Sequence, residues 1–295
     1  MKHTLSCAAA ILSFTISTSG WTACLEPGAS RVQLQVLGSG GPRASGGRAS
    51  ASYLVWIDGI GRILVDAGGG TKDPFHQTGA NFDDIDLVAL SHLHPDHSAE
   101  LPALLWPDGG RTRVSGPTAG DVFPSIEQFL NSLFGSGGAF EILAPRVELE
   151  TITVDVTNAE PIEIYREGDV LVRGVGVPHG SVPTIGYRVD VGGSSIAFAS
   201  DQNGSNPSFA ELAKDVDILV VHFGGPENST GMIAALHAKP SVWGQMGATA
   251  NARQVLVSHL NIPSAEELET RLGFLRENYT GLVTVAEDLM CLDVR

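Results

Sequence analysis

A chain of 295 residues, 43% hydrophobic and 17% charged, has room for one large domain or two small ones and is too apolar to be disordered. Its formal net charge of −15 weighs against nucleic acid, which binds through a positively charged surface, although a local basic patch would survive that balance.

At the N-terminus, Lys2 and His3 precede an apolar stretch over 5–16 and then the small residues Ser17, Thr18, Ser19 and Gly20. That is the layout of a secretory signal peptide over residues 1–20, which places the protein in the periplasm or outside the cell. The stretch is short for a membrane span, and no other segment approaches that length. Cys24 as a lipidated N-terminus is the alternative, but Trp21 stands where such a signal favours a small aliphatic residue. Cleavage would remove Cys7 and leave Cys24 and Cys291, a pair that an oxidising compartment would join. Losing Lys2 as well leaves 17 Lys+Arg against 33 Asp+Glu, about −16. Residues 21–295 are expected to form a single domain.

Residues 31–37 alternate Val32, Leu34 and Val36 with Gln33 and Gln35, the pattern of a half-exposed strand. Gly38-Ser39-Gly40-Gly41-Pro42 ends it. Neither a Walker spacing nor a G-x-G-x-x-G opening a helix is present, so this is a tight turn near a pocket and not a phosphate loop. A hairpin follows, 53–57 and 62–66 around Asp58-Gly59. Asp66, ahead of Ala67-Gly68-Gly69-Gly70, has two readings: a carboxylate that bonds the free ring nitrogen of a metal-bound histidine, or an Asp that starts a turn.

The apolar run 85–90 behind Asp83-Asp84 reads as a buried strand that Pro95 prevents from continuing. Its end carries Ser91-His92-Leu93-His94-Pro95-Asp96-His97, three imidazoles and a carboxylate within six residues. Side chains at i and i+2 of an extended segment point the same way, so His92 and His94 can converge on one ion, with Asp96 and His97 facing a second. Without a cation, so many polar groups against an apolar strand would be costly.

A short helical pattern over 99–106 is interrupted by Pro102, and 121–133 reads as helix on Val122, Ile126, Phe129 and Leu130. Residues 107–145 as a whole are rich in Gly, Ser and Pro and are expected to form the rim that sets specificity. Trp106, Phe123, Phe129 and Phe134 there either contact substrate or join the core. The segments 147–156, 162–165 and 170–177 read as strands of a second sheet, the last running into Pro178-His179-Gly180. Next, 185–191 and 195–199 pair across Gly192-Gly193, the latter stopping at Ser200-Asp201. Residues 217–221 make a strand ending at His222, 241–252 a helix weakened by Gly244 and Gly247, and 254–257 a strand ending at Ser258-His259. A last helix opens with a capping box at Ser264-Ala265-Glu266-Glu267 and carries Leu268, Leu272 and Leu275 on one face; 282–285 is a strand. Two blocks of strands, each with helices, suggest two sheets packed face to face with helices outside.

Seven of the nine histidines thus fall at strand ends or in the adjoining loops, His92, His94, His97, His179, His222, His237 and His259, together with Asp96 and Asp201. Read as one pocket, they make the chain resemble the metallo-β-lactamase-fold superfamily of dinuclear metal hydrolases. It is closest to ribonuclease Z-like and arylsulfatase-like members, on the opening turn at 37–42 and on the segment from His179 to Arg188. The resemblance implies an α+β fold, a four-layer αβ/βα sandwich. It implies that His92, His94 and His179 hold one ion, that Asp96, His97 and His259 hold the other, and that Asp201 bridges them. Two zinc ions are the expected cofactors, with iron or manganese able to occupy similar ligands. Ions roughly 3.5–4 Å apart would share a hydroxide as nucleophile near neutral pH, with Asp96 beside it in the catalytic set. The resemblance places His237 as the proton donor to the leaving group. The glutamate that the ribonuclease Z-like family pairs with that histidine is replaced here by Phe223, so His222 is either a substitute or a supporting residue.

The expected activity is hydrolysis of a small phosphodiester or sulfate ester. Transfer-RNA processing is disfavoured by export, by charge, and by an interval between His179 and Asp201 too short for the binding arm that processing relatives carry. The alternatives are an acyl hydrolase acting on a lactone or lactam, and a catalytically weak metal-binding scaffold. Sequence alone does not give the oligomeric state.

Overall fold

The computed structural model describes residue 24 and residues 30–43, 46–262 and 264–295; the leader read at 1–20 lies outside them. Strands β1 (Val32–Gly38), β2 (Ser52–Ile57), β3 (Ile60–Val65), β4 (Leu87–Ala89), β5 (Gly110–Pro117) and β6 (Val147–Val154) follow one another across a first sheet. A second sheet is made of β7 (Ile162–Glu167), β8 (Val170–His179), β9 (Val182–Val191), β10 (Ser194–Phe198), β11 (Ile218–His222), β12 (Gln254–Ser258) and β13 (Leu282–Val285). The chain then returns, and β14 (Cys291–Val294) pairs antiparallel with β1 at the edge of the first sheet.

Each sheet starts with antiparallel hairpins and finishes with parallel strands: β3 to β6 in the first, β10 to β13 in the second. Alternation along the strands sorts side chains into layers. Val55, Ile63, Val65, Leu87 and Ala89 meet Val172, Tyr187, Val189, Ile196 and Val220 between the sheets. The opposite faces, through Leu64, Val88 and Leu90 or through Ala197, Leu219 and Val255, bury under helices. On the first sheet these are α1 (Lys72–Gln77), α3 (Leu101–Leu104) and α4 (Ile126–Phe134), after the single turn α2 (Pro95–Ser98). On the second they are α5 (Pro207–Leu212), α7 (Pro240–Thr249) and α8 (Ala265–Arg276). Between α5 and α7 in the chain lies α6 (Gly231–Leu236), none of whose residues is buried. The result is the four-layer αβ/βα sandwich expected.

Several local expectations are corrected. The 147–156 segment joins the first sheet, because β6 pairs in parallel with β5, an eight-residue strand inside the region expected to be rim loop. Strand β1 is buried on both faces and not half-exposed. Gln33 and Gln35 tolerate this because Gln33 bonds Asp293, while Gln35 accepts from the Trp56 indole and donates to the Leu289 carbonyl. The helix expected from 121 begins at Ile126, where Ser125 and Gln128 form a capping box. The box expected at Ser264 is only half made: its hydroxyl accepts from the Glu267 amide, but the Glu267 carboxylate turns to Arg271. Phe134 is core and Phe129 packs against it, whereas Trp106 is exposed and Phe123 half-buried.

Cys24 and Cys291 are joined by a disulfide with Cα atoms 5.5 Å apart. Among the described residues no helix is long and apolar enough to cross a membrane.

Candidate metal centre

Parallel strands of the two sheets end side by side, and the site residues sit at those carboxyl ends, where α/β folds leave a crevice. From the first sheet come Asp66 after β3 and the 91–97 segment after β4; from the second come Asp201 after β10, His222 ending β11 and His259 after β12. His179 ends β8, and His237 follows α6. Three of these turns hold a non-glycine residue in the left-handed region: Asp66 (φ 59°), Ser200 (φ 59°) and His259 (φ 55°). Such conformations persist where surrounding contacts impose them.

Asp66 answers its two readings in favour of the histidine. Its carboxylate lies 2.8 Å from His97 Nδ1 and accepts from the Ser91 amide at 2.7 Å and the Ser91 hydroxyl at 2.9 Å. His97 Nε2 is thereby turned inward, 3.6 Å from Asp96 and 3.7 Å from Asp201. His179 is set the same way, with Nδ1 2.7 Å from the Leu236 carbonyl and Nε2 3.7 Å from Asp201. His92 Nε2 is 3.0 Å from His94 Nδ1, as extended i, i+2 spacing requires. His259 Nε2 stands 3.1 Å from Asp96 and 3.5 Å from Asp201. The glycines of the two flexible-looking loops serve close approach: a Cβ on Gly41 would meet the His259 ring at 2.8 Å, and one on Gly68 the Asp96 carbonyl at 2.3 Å.

Among the described residues, donor atoms fall into three groups, each within 4.8 Å: His92 with His94 and His179; His97 with Asp201, His222 and His259; and His179 with Asp201 and His237. Asp201 is common to the last two and Asp96 touches His97 and His259. Inside this knot, His97 Nε2, His179 Nε2, His237 Nδ1 and His259 Nδ1 are buried with no hydrogen-bond partner. Buried polar atoms are normally paired, so the three orphaned nitrogens of His97, His179 and His237, each 3.7 Å from Asp201, fit a divalent cation; His259 Nδ1 lies instead on the Gly41 side of its ring. Ligands of a tetrahedral ion with bonds of about 2.0–2.1 Å sit at roughly the separations found here.

Burial pushes the imidazoles of His92, His94 and His179 down, leaving neutral lone-pair donors. His222 and His237 are lowered to about 4 for the same reason. Burial acts on His97 too, but Asp66 and Asp201 outweigh it and raise that ring to about 9. Burial alone would raise the Asp201 carboxyl; His259, His97 and the His222 hydrogen bond hold it well below the usual carboxylate range.

His222 sits 2% exposed on the floor with both nitrogens engaged, Nδ1 2.8 Å from Asp201 and Nε2 3.1 Å from the Tyr53 hydroxyl. Tyr53 in turn donates to Ser258 at 2.7 Å. Such a ring has no nitrogen left for a leaving group; it holds Asp201. His237 is 17% exposed by its side chain, flush on Gly224, and 3.7 Å from Asp201. Tyr53 was missed in the sequence, where it reads as one more apolar strand position. The available signal was that a buried phenol needs a partner for its hydroxyl.

Comparison with known proteins agrees with this fold. Residues 61–260 match the model of the β-lactamase superfamily domain. The ribonuclease Z of Methanopyrus kandleri is 33% identical over 162 residues, 53% of this chain and 50% of that protein. The ribonuclease Z of Thermobifida fusca is 26% identical over 301 residues, covering 88% of this chain and 93% of that one. The chain spans about half the length of the first curated relatives it matches. The solved metallo-β-lactamase-fold protein YhfI from Bacillus subtilis superposes with a TM-score of 0.68 at 20% identity, over 89% of this chain and 99% of that one. The chain therefore belongs to the metallo-β-lactamase superfamily, with its ribonuclease Z-like members as relatives. Its His/Asp cluster suits a divalent metal.

Proposed function

We propose that the protein is an exported dinuclear metal-dependent hydrolase of small phosphodiester or sulfate esters, its mature part working as a single domain. The observation that carries the reading is that Asp201 stands 3.7 Å from His179, 3.7 Å from His97 and 3.5 Å from His259. One carboxylate shared between two histidine groups suits two ions: His92, His94 and His179 for one, Asp96, His97 and His259 for the other. Zinc matches this imidazole-rich set, and iron or manganese could use the same donors.

Two divalent cations against the carboxylates of Asp96 and Asp201 and a shared hydroxide would leave a net charge of about +1, which favours an anionic ester over a neutral lactone. When bound, such ions acidify water to a pKa of about 7 and polarise the ester. The chain's own residues do the rest. Asp66 and Ser91 fix the His97 tautomer; Tyr53 and His222 fix Asp201. His237, at the mouth, is neutral in the free molecule because it is buried, and an arriving anion favours its protonated form. It would then pass a proton to the leaving oxygen, without the glutamate that Phe223 replaces. The export part of the reading rests on the 1–20 leader alone.

A nuclease is the second reading, favoured by the name that the curated relatives carry. Against it stand the net charge of −15 and the 179–201 interval, which β9, β10 and the two-residue turn at 192–193 fill. The test is metal analysis of the purified protein with a panel of bis(4-nitrophenyl) phosphate, 4-nitrophenyl sulfate, nitrocefin and a precursor tRNA. Metal with turnover of the first or second is expected. Absence of metal after careful purification sinks the central claim, turnover of nitrocefin or tRNA alone moves the protein to the other readings, and metal with no turnover favours a scaffold.

A further inference from the structure

Helix α6 has the sequence Gly-Met-Ile-Ala-Ala-Leu, apolar throughout, and yet none of its residues is buried. A helix that is hydrophobic all round normally lies in a core. This one adjoins the candidate metal centre and is tied to it by its backbone. The Leu236 carbonyl holds His179 Nδ1, and the Ile233 carbonyl accepts from the His237 amide at 2.9 Å. Met232 is 78% and Ile233 49% exposed. On the other flank, the Phe123 ring stands 5.5 Å from His94 and its neighbour Val122 is 79% exposed. The rings of His94, His179 and His237 succeed one another at 5.3 and 5.2 Å between these flanks. Behind them the turn at 180–183 joins the two sides, since a Cβ on Gly120 would meet Pro183 and one on Gly180 would meet Leu236.

We infer that Val122, Phe123, Met232 and Ile233 form an apolar subsite for the organic arm of the substrate, so that the ester carries an alkyl or aryl group and not a sugar or nucleoside. This deepens the ester-hydrolase reading and rests on it for the position of the reacting head. The occupant is a substrate arm because the patch adjoins the reacting centre: backbone carbonyls of α6 hold two of its histidines and the Phe123 ring packs against a third. Loops at a site's mouth commonly set specificity in this way.

Binding of methyl-, butyl- and octylphosphonate to the metal-loaded protein, measured by calorimetry, tests the inference without turnover. Full burial gives about fourfold in affinity per methylene; on this half-open surface about twofold is expected, so octylphosphonate should bind about 100-fold tighter than methylphosphonate. The double variant Met232→Ser/Ile233→Ser should reduce that ratio to below about tenfold. Val122→Ser, on the opposite flank and on an exposed loop, should lower it by a smaller factor. A chain-length series with no slope overturns the subsite, even if the assay esters are hydrolysed. So does a wild-type dimer that the double variant dissociates while the slope persists. Binding with the expected slope but no hydrolysis of any ester supports the subsite and removes the proposed reaction. No binding by any phosphonate removes both.

Discussion

On the floor of the cleft, His92, His97, His179, His222 and His259 each have at least one ring nitrogen engaged by a named partner, whereas at its mouth Val122, Met232 and Ile233 stand in the open. Floor residues come from strand ends anchored by three apolar layers, and the rings of His92, His97 and His179 are aimed by hydrogen bonds to their Nδ1 atoms, whereas His259 is backed by Gly41. The mouth comes from a loop and a six-residue helix, where side chains can change without disturbing the sheets. A site made this way keeps its reacting geometry while its selectivity is set separately.

The largest expected break in that comparison is Asp201→Ala. It removes the carboxylate common to both histidine groups, so metal occupancy and hydrolysis should fall together, by more than the roughly 10–100-fold typical of losing an outer partner. Metal analysis with a rate assay checks it, and unchanged values would remove Asp201 as the bridge. His237→Ala, at the boundary between floor and mouth, should lower kcat by about 100-fold with metal content intact, within the usual range for a lost acid–base group. Loss of metal in that variant would instead make His237 a ligand, which its grouping with His179 and Asp201 would accommodate.

Asp66→Ala tests the floor from outside. Metal affinity should weaken about 10–100-fold, measured by chelator competition, because His97 loses the partner that aims it. The smallest effect is on the pH dependence of the metal-free protein. His222 and His237 have folded values of about 4, below the ordinary value of about 6.5, so the unfolded chain binds more protons between those pH values and stability falls as pH drops through them. His97, raised to about 9, contributes fully below about 6.5 and loses that contribution as pH rises through 9. The urea midpoint should therefore be highest near pH 7. Asp66→Asn should shrink the alkaline fall, leaving the part due to Asp201, while sparing the acid one; an alkaline limb of unchanged size would detach it from the Asp66–His97 pair.

The sequence determined the chemistry of the floor, because metal-type donors are dense and sit where apolar runs stop. His92, His94, Asp96 and His97 share one short segment, and strands ending at His179, Asp201, His222 and His259 could be read one by one from their β-branched alternation. Tertiary structure decided what no local pattern contains. Strand β14 and the first-sheet place of β6 depend on pairing between residues far apart in the chain. The role of His222 required seeing Tyr53 come across from the other sheet to occupy its second nitrogen. The exposure of α6 follows from where its neighbours end, since a run of apolar residues looks the same in sequence whether a core covers it or a cleft leaves it open.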